Sequence, residues 1–400
     1  WPGNHMAAPL KVLFITHNYP RAPGDFAGVF LHLLARKIRE NGFEVYVVAP
    51  HDAAVPEYEE FQGIKVYRFR YGPDEEETLA YRGEMHGRIL KNPIKVIRLA
   101  KFLRAAYRLS CRIIKQEEIS LVSVHWVVPN GIIGYLLSRK YGSKIKLLLC
   151  SHGTDVRLLA GIPLVYSAFR PAIRKAKGWT VVSSYLKELI SARDRAAADK
   201  IRVIPLPNDE NVFYPEEGTL EDPNLVVAVS RLTSQKRLSL LLDAVKIVAR
   251  SRPEIKLEIY GVGPERIRLE EHLQNIGLAG RAKILKPLPQ QRLRTVYNRA
   301  AVVVLNSVGE GFGLALTEAM LCGTAVIGTR SGGITDIIDD RETGLLVSPD
   351  NVQELADRIS RLLEDRTLRE RLANAGYRKA REHFTSRSSA ERYADLLRTL

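Results

Sequence analysis

The sequence predicts an α/β protein made of two Rossmann-like domains, each a doubly wound parallel sheet, facing one another across a cleft. Three observations predict it. Short β-branched apolar runs alternate with helical patterns along the whole chain, which is the signature of βαβ units. At 400 residues the chain exceeds what one ordinary core holds. The segment Pro205-Leu-Pro-Asn-Asp-Glu-Asn211 sets two prolines and several turn formers between two sets of strands, as a hinge does.

In the first set, the strands fall at 11–16, 43–49, 64–69, 121–125, 146–150, 180–183 and 202–204. In the second set they fall at 225–230, 255–260, 282–286, 301–305, 325–328 and 345–347. From residue 351 onward the pattern is helical, and the last helix has no strand after it. Residues 1–6 (Trp-Pro-Gly-Asn-His-Met) read as a cloning remnant outside the fold. The expected organisation is a first, acceptor-side domain over 7–207, a second, nucleotide-sugar-binding domain over 208–385, and a helix over 386–400 crossing back to the first domain.

Composition narrows the class. With 46% apolar and 26% charged residues the chain is globular rather than disordered. No apolar run approaches the ~20 residues that span a bilayer. Three cysteines lie scattered, without disulfide or metal spacing, which suits a reducing, cytoplasmic setting. Residues 1–208 carry 32 Lys and Arg against 18 Asp and Glu, whereas residues 209–400 carry 28 against 27. Charge concentrated in one half suggests an anionic partner there: a membrane surface, an anionic acceptor or nucleic acid.

The motifs that could carry chemistry sit where strands end. Glu310-Gly-Phe-Gly-Leu-Ala-Leu-Thr-Glu318 follows a buried strand and opens a helix. Free backbone N–H groups and the helix dipole there suit an anion near Gly311, Phe312, Gly313 and Leu314. The flanking Glu310 and Glu318 are acceptors, which suits a ligand that is part phosphate and part polyol. Arg231 and Lys236 leave the carboxyl edge of the second domain's first strand, where doubly wound sheets bind ligands. Arg231 can give a forked contact and Lys236 a point charge to a diphosphate. Against this stands a plain solvated basic turn.

In the first domain, Ser151-His152-Gly-Thr-Asp155 follows a strand. His152 could bond a sugar hydroxyl, and Asp155 could orient it, cap the next helix or face an acceptor; an isolated buried histidine is the competing account. The first βα loop, from Asn18 to Gly28, ends at a glycine that lets backbone approach a phosphate. It carries no G-x-G-x-x-G, and with its two prolines and Asp25 it could instead shape an acceptor pocket. His125-Trp126 could line the cleft, although core packing suits Trp126. Gly261-Val-Gly-Pro264 and Ser331-Gly-Gly333 are glycine turns after strands.

In this order the motifs resemble glycosyltransferase family 4, retaining enzymes of the GT-B fold, from about Lys11 to the last helices. The resemblance implies that Arg231 and Lys236 bind the donor diphosphate, helped by amides around Gly313 and Leu314 and by Gly28. It implies that Glu318 accepts from the ribose, that Glu310 holds hydroxyls of the transferred hexose, and that His152 approaches that sugar from the opposite domain. The backbone near Leu288 would meet the base. His152, Glu310, Arg231 and Lys236 are then the catalytic set, with no metal and no cofactor beyond the nucleotide-diphosphate-sugar donor. Two positions depart from the family pattern: Asp209 stands after Pro-Asn where a glycine is usual, and Asp336 where a glutamate often follows the double glycine.

Between Lys91 and Lys115 there are eight basic residues and no acidic one. On a helix, Lys91, Lys95, Arg98, Lys101, Arg104, Arg108, Arg112 and Lys115 share one half, and Leu99, Phe102, Leu103, Ala106, Tyr107, Leu109, Ile113 and Ile114 the other. An apolar face packed on the sheet with a basic face in solvent is expected, and that basic face can attract anionic headgroups. A peripheral place on the cytoplasmic membrane face and a lipid-linked or envelope-linked hydroxyl acceptor follow. A nucleotide-sugar epimerase of similar fold is the alternative enzyme. A nucleic-acid-binding protein is the non-enzymatic one, disfavoured because no nucleic-acid motif or stacking pattern appears.

Overall fold

The computed structural model describes residues 9–25, 27–53, 55–81 and 93–400, with backbone alone for residues 93–95. Residues 1–6, Lys91 and the Lys95 side chain lie outside the described residues. The chain divides into two compact units. One takes the residues up to Val182, Leu186–Ile204 and Ser389–Leu400, and the other takes Ser183–Tyr185 and Pro205–Ser388.

The first unit holds strands β1 (Leu10–Ile15), β2 (Phe43–Pro50), β3 (Tyr58–Phe61), β4 (Ile64–Phe69), β5 (Leu121–His125), β6 (Lys146–Cys150), β7 (Gly178–Val181) and β8 (Ile201–Val203). They form one sheet in the order β3-β4-β2-β1-β5-β6-β7-β8, parallel except for β3. Val12, Leu13, Phe14 and Ile15 of the central β1 are wholly buried, because helices cover both faces of such a sheet. One strand escaped the sequence pattern. Tyr58-Glu-Glu-Phe61 is an edge strand, half exposed, that folds back antiparallel on β4 with Tyr58 opposite Tyr67. Four residues with two adjacent glutamates give no apolar run to detect.

The second unit holds β9 (Asp222–Val229), β10 (Lys256–Tyr260), β11 (Ala282–Leu285), β12 (Ala300–Leu305), β13 (Ala325–Thr329) and β14 (Leu345–Val347). The order is β11-β10-β9-β12-β13-β14, all parallel. In chain order this is 3-2-1-4-5-6, so the winding reverses between β9 and β12. In the first unit it reverses between β1 and β5. Each fold therefore splays the loops of two central strands apart at its carboxyl edge and leaves a crevice there. Both units are thus Rossmann-like.

The units divide between Ile204 and Pro205. Within the second unit, Asn208 is tied to the chain's return path: its N–H and its Nδ2 both donate to the Phe384 carbonyl, and Ser386 N–H donates to the Asn208 carbonyl. The last helix, Ser386–Thr399, packs Ala390, Tyr393, Ala394 and Leu397 into the core of the first unit. There the Tyr393 hydroxyl lies 2.7 Å from Cys150 Sγ, and Lys146 Nζ donates to the Leu400 carbonyl.

The helix Pro93–Glu117 buries Phe102, Ala106, Leu109, Ile113 and Ile114 and exposes Lys101, Arg104, Arg108, Arg112 and Lys115. Arg98 is only half-exposed. Two apolar residues at the start of this helix, Val96 and Ile97, remain 54% and 62% exposed. No single helix among the described residues is long and apolar enough to cross a membrane.

Candidate functional site

In the second unit the reversal of winding brings two loops together. The loop after β9 carries Arg231 and Lys236 and leads into the helix Leu238–Val248; the loop after β12 carries Glu310 and leads into the helix Leu314–Leu321. They are zipped along their backbones. Val308 N–H donates to the Gln235 carbonyl at 3.1 Å, Gln235 Nε2 to the Gly309 carbonyl at 3.2 Å, and Asn306 Nδ2 to the Arg237 carbonyl at 3.1 Å. At the end of the zipper Lys236 Nζ and Glu310 Oε2 form an ion pair, and Ser307 Oγ donates to the same oxygen at 2.9 Å. Their side chains are mostly buried, at 11% and 16% exposure, so solvent screens the pair little.

Glycines hold both loops from behind. A Cβ on Gly261 would strike the Ser230 carbonyl, and one on Gly263 the Leu232 carbonyl, so the turn after β10 lies directly against the Arg231 loop. Gly332, at φ 64°, leaves no room for a side chain beside the Glu310 backbone, and Gly333 N–H donates to the Glu310 carbonyl at 2.7 Å. The glycine turns that seemed merely structural in the sequence thus position Arg231 and Glu310.

Arg231 is exposed and, among the described residues, makes no ion pair. Beside it, Ser230 Oγ and Thr233 Oγ1 are buried without a hydrogen-bond partner. Nearly all buried polar atoms are satisfied in native proteins, so two buried hydroxyls without a partner in one short loop are unusual. Sequence reasoning missed both, since nothing in a Ser or Thr codon position signals an empty partner.

Glu318 lies one turn into the helix Leu314–Leu321, 9% exposed. The Tyr297 hydroxyl donates to its Oε2 at 2.8 Å. Burial pushes the Glu318 carboxyl up to about 7, and the Tyr297 bond opposes that rise. Gly313 opens the helix at φ 123° with no side-chain cap, leaving first-turn N–H groups for an anion. Phe312 is 2% exposed and its ring packs on Phe384. Leu288 sits half-buried between β11 and the helix Gln290–Arg299.

In the first unit the reversal point gathers His17 after β1, His125 at the end of β5 and His152 after β6. His125 Nδ1 lies 3.1 Å from His152 Nε2, and Asn130 Nδ2 donates to the His125 carbonyl at 2.8 Å. Trp126 is half-buried among aromatic rings, 4.5 Å from the His152 ring and 4.8 Å from that of His17. Gly28, at φ 66°, opens the helix Val29–Glu40, and a Cβ there would strike the Asn18 carbonyl.

The two acidic residues expected on the acceptor side each bond their own loop. Asp155 is wholly buried and accepts from the N–H groups of Val127, His152 and Gly153 at 2.9, 3.2 and 3.2 Å, which fixes the His152 loop. Asp25 accepts from Arg21 Nε at 2.7 Å, and Arg21 also binds Asp52 at 2.6 Å, which staples the first loop. One group of three potential metal ligands occurs among the described residues: His51, Asp74 and Glu77. His51 Nδ1 is hydrogen-bonded to Glu77 at 2.6 Å and Asp74 is paired with Arg70, so these atoms are already used.

Two family models match the chain. One described as Glycosyltransferase Family 4 covers residues 27–211, and one described as Glycosyl transferases group 1 covers residues 210–379. N-acetyl-alpha-D-glucosaminyl L-malate synthase of Bacillus anthracis is 26% identical over 385 residues, covering 94% of this chain and 93% of its own. The GDP-mannose-dependent alpha-(1-6)-phosphatidylinositol monomannoside mannosyltransferase of Mycolicibacterium smegmatis is 26% identical over 402 residues, 96% of this chain and 98% of its own. Among solved structures, sucrose-phosphate synthase from Thermosynechococcus elongatus matches with a TM-score of 0.79 at 22% identity, over 98% of each chain. With the two models together spanning residues 27–379 and the fold shared end to end, the chain belongs to glycosyltransferase family 4, of the GT-B fold.

Proposed function

We propose that this glycosyltransferase moves a hexose-type sugar from a nucleotide-diphosphate-sugar to a hydroxyl of its acceptor, with retention of anomeric configuration. The observation that carries it is the Lys236–Glu310 pair at the reversal point, beside a free Arg231 and the orphan hydroxyls of Ser230 and Thr233. Arg231 and Lys236 take the diphosphate, and the Gly313 and Leu314 amides take its remaining oxygens. Glu318 grips the ribose, and the backbone near Leu288 meets the base. Glu310 holds hydroxyls of the sugar. One of its oxygens is already engaged by Lys236 and Ser307, and an ion-paired carboxylate is a poor nucleophile. Same-face attack, with the leaving phosphate assisting deprotonation of the acceptor, therefore suits the site better than double displacement.

Negative charge grows on the departing diphosphate, so the two fixed cations stabilise the transition state more than the ground state. They supply the neutralisation that a metal would otherwise give, and the proposal therefore expects turnover to survive a chelator.

The names of the two relatives contain L-malate and a phosphatidylinositol mannoside, both anionic molecules, and the basic first half of this chain suits an anionic acceptor. The exposed stripe Lys101, Arg104, Arg108, Arg112 and Lys115, with Ile97 exposed beside it, supports a peripheral place on an anionic bilayer, at ~1 kcal/mol per basic residue.

A thermal-shift panel of UDP-, GDP- and ADP-sugars tests the donor assignment. A ligand at 100 times its Kd stabilises by about 2.7 kcal/mol. One base should raise Tm in the wild type and not in Arg231→Ala. No shift with any nucleotide-sugar would refute the assignment.

A further inference from the structure

Three helices of the first unit lie side by side. The connections from β4 to β5, β5 to β6 and β6 to β7 all step the same way across the sheet, and right-handed crossovers put their helices on one face. Pro93–Glu117 packs on Val127–Tyr141, and Val127–Tyr141 packs on Pro163–Lys175. The last two are close, since a Cβ on Gly131 would meet the Phe169 ring.

The layer they form is strongly basic. The three helices hold twelve Lys and Arg and one acidic residue. That residue, Glu117, closes the first helix and accepts from the Tyr46 hydroxyl at 2.8 Å. Asp194, beside the third helix, is also engaged, accepting from the Tyr166 hydroxyl at 2.6 Å and the Ala197 N–H at 3.1 Å. Arg104 and Arg108 on the first helix, Arg139 and Lys140 on the second, and Arg170 and Arg174 on the third are all exposed.

Apolar side chains stand out from the same layer. On the third helix Tyr166, Phe169 and Ile173 are buried, while Leu164, Ala168 and Pro171 are exposed at helical spacing on the opposite side. Just before it, Gly161-Ile-Pro-Leu164 is a run of four exposed apolar residues, which a surface facing only water does not need. Leu164 is 80% exposed and Ile162 39%. The run forms the turn at which the helix Thr154–Gly161 meets Pro163–Lys175 at 112°.

We propose that the outer face of these three helices docks on an anionic bilayer, with the turn Gly161–Leu164 inserted among the headgroups as an apolar wedge.

An aliphatic tip beside a field of cations matches a surface that is anionic outside and apolar beneath. Single-stranded nucleic acid would call for exposed aromatic platforms, and the wedge residues are aliphatic. Position adds to the case. The helix Thr154–Gly161 begins directly after the His152 loop, and its eight residues span only ~12 Å. The wedge is therefore close to the carboxyl edge of the first sheet, where this unit's crevice opens, and an acceptor whose lipid end stays in the bilayer has a short distance to span. The wedge rests on the peripheral-membrane reading given above and supplies its point of insertion.

Co-sedimentation with vesicles of equal parts phosphatidylglycerol and phosphatidylcholine tests it, at low and at high salt. Leu164→Asn should weaken binding on the order of tenfold, the factor for burying a leucine side chain, and by the same factor at both salts. Leu164→Phe should bind at least as tightly as the wild type. Arg170→Glu with Arg174→Glu should lose affinity mainly at low salt, where charges are least screened. All three should keep the wild-type Tm, since these side chains are exposed. Wild-type binding that is lost in Arg104→Glu with Arg108→Glu but unchanged in Leu164→Asn would overturn the wedge and leave the peripheral-membrane reading standing. A wild type that ignores these vesicles would overturn both. A wild type that instead binds RNA, or dimerises through Leu164 in sedimentation equilibrium, would give this face to a different occupant and overturn the proposal as well.

Discussion

Tyr297→Phe should change the pH dependence of donor binding without touching the donor. The phenol hydroxyl donates to Glu318 Oε2 at 2.8 Å, both groups are buried, and the carboxyl already sits near 7 because burial outweighs that bond. A hydrogen bond to a buried carboxylate contributes about 1.5–3 kcal/mol. At about 1.4 kcal/mol per tenfold, losing it moves the Glu318 midpoint up to roughly 8–9. If only the ionised carboxylate accepts both ribose hydroxyls, apparent Kd rises as 1 + 10^(pKa − pH). At pH 7 the wild type is then about twofold above its limiting Kd and the variant roughly ten- to a hundredfold above. At about pH 9.5 the two should converge, since both carboxylates are ionised. Calorimetric titration of the matching nucleoside diphosphate across that range reads the midpoints directly. A wild-type Kd independent of pH, or a midpoint that stays put in Tyr297→Phe, would refute the role given to Glu318.

The remaining expectations need simpler assays. Arg231→Ala and Lys236→Ala should each lower kcat by more than about tenfold, because both neutralise charge that builds on the leaving phosphate; unchanged kcat in both would sink the catalytic assignment. Gly332→Ala forces a side chain against the Glu310 backbone at a positive φ, and should weaken donor binding in a protein that still folds, measured by KM and Tm together. Glu318→Gln should bind donor poorly yet unfold at higher temperature. The folded carboxyl is raised from 4.5 to about 7, so ionising it costs stability as pH rises through that window. The gain should be absent near pH 4 and at most roughly 3 kcal/mol near pH 8. Arg104→Glu with Arg108→Glu should reduce sedimentation with anionic vesicles at low salt, while neutral vesicles show no difference.

The strands were legible because parallel βαβ units write the same signal many times: a β-rich run, a glycine or proline break, a helical stripe. Tyr58–Phe61 carries no such run, and only pairing with β4 makes it a strand. The donor loops were legible by position, since the carboxyl ends of central strands are where doubly wound sheets bind ligands. What each side chain does there was less so, because a motif names a residue and not its partner. The sequence does not tell that the Phe312 ring packs on Phe384, that Asp25 pairs with Arg21, or that Asp155 takes up the N–H groups of its own loop. The Lys236–Glu310 pair explains how opposite charges can both belong to one site. Apart, each would be a mostly buried charge without a counterion, which is costly. Together they neutralise one another, and in the proposed function Lys236 keeps that bond while another of its three N–H groups meets the diphosphate and the second Glu310 oxygen meets sugar hydroxyls. The pairing depends on the long-range zipper between residues 235–237 and 306–309, a contact no local pattern in the sequence could announce.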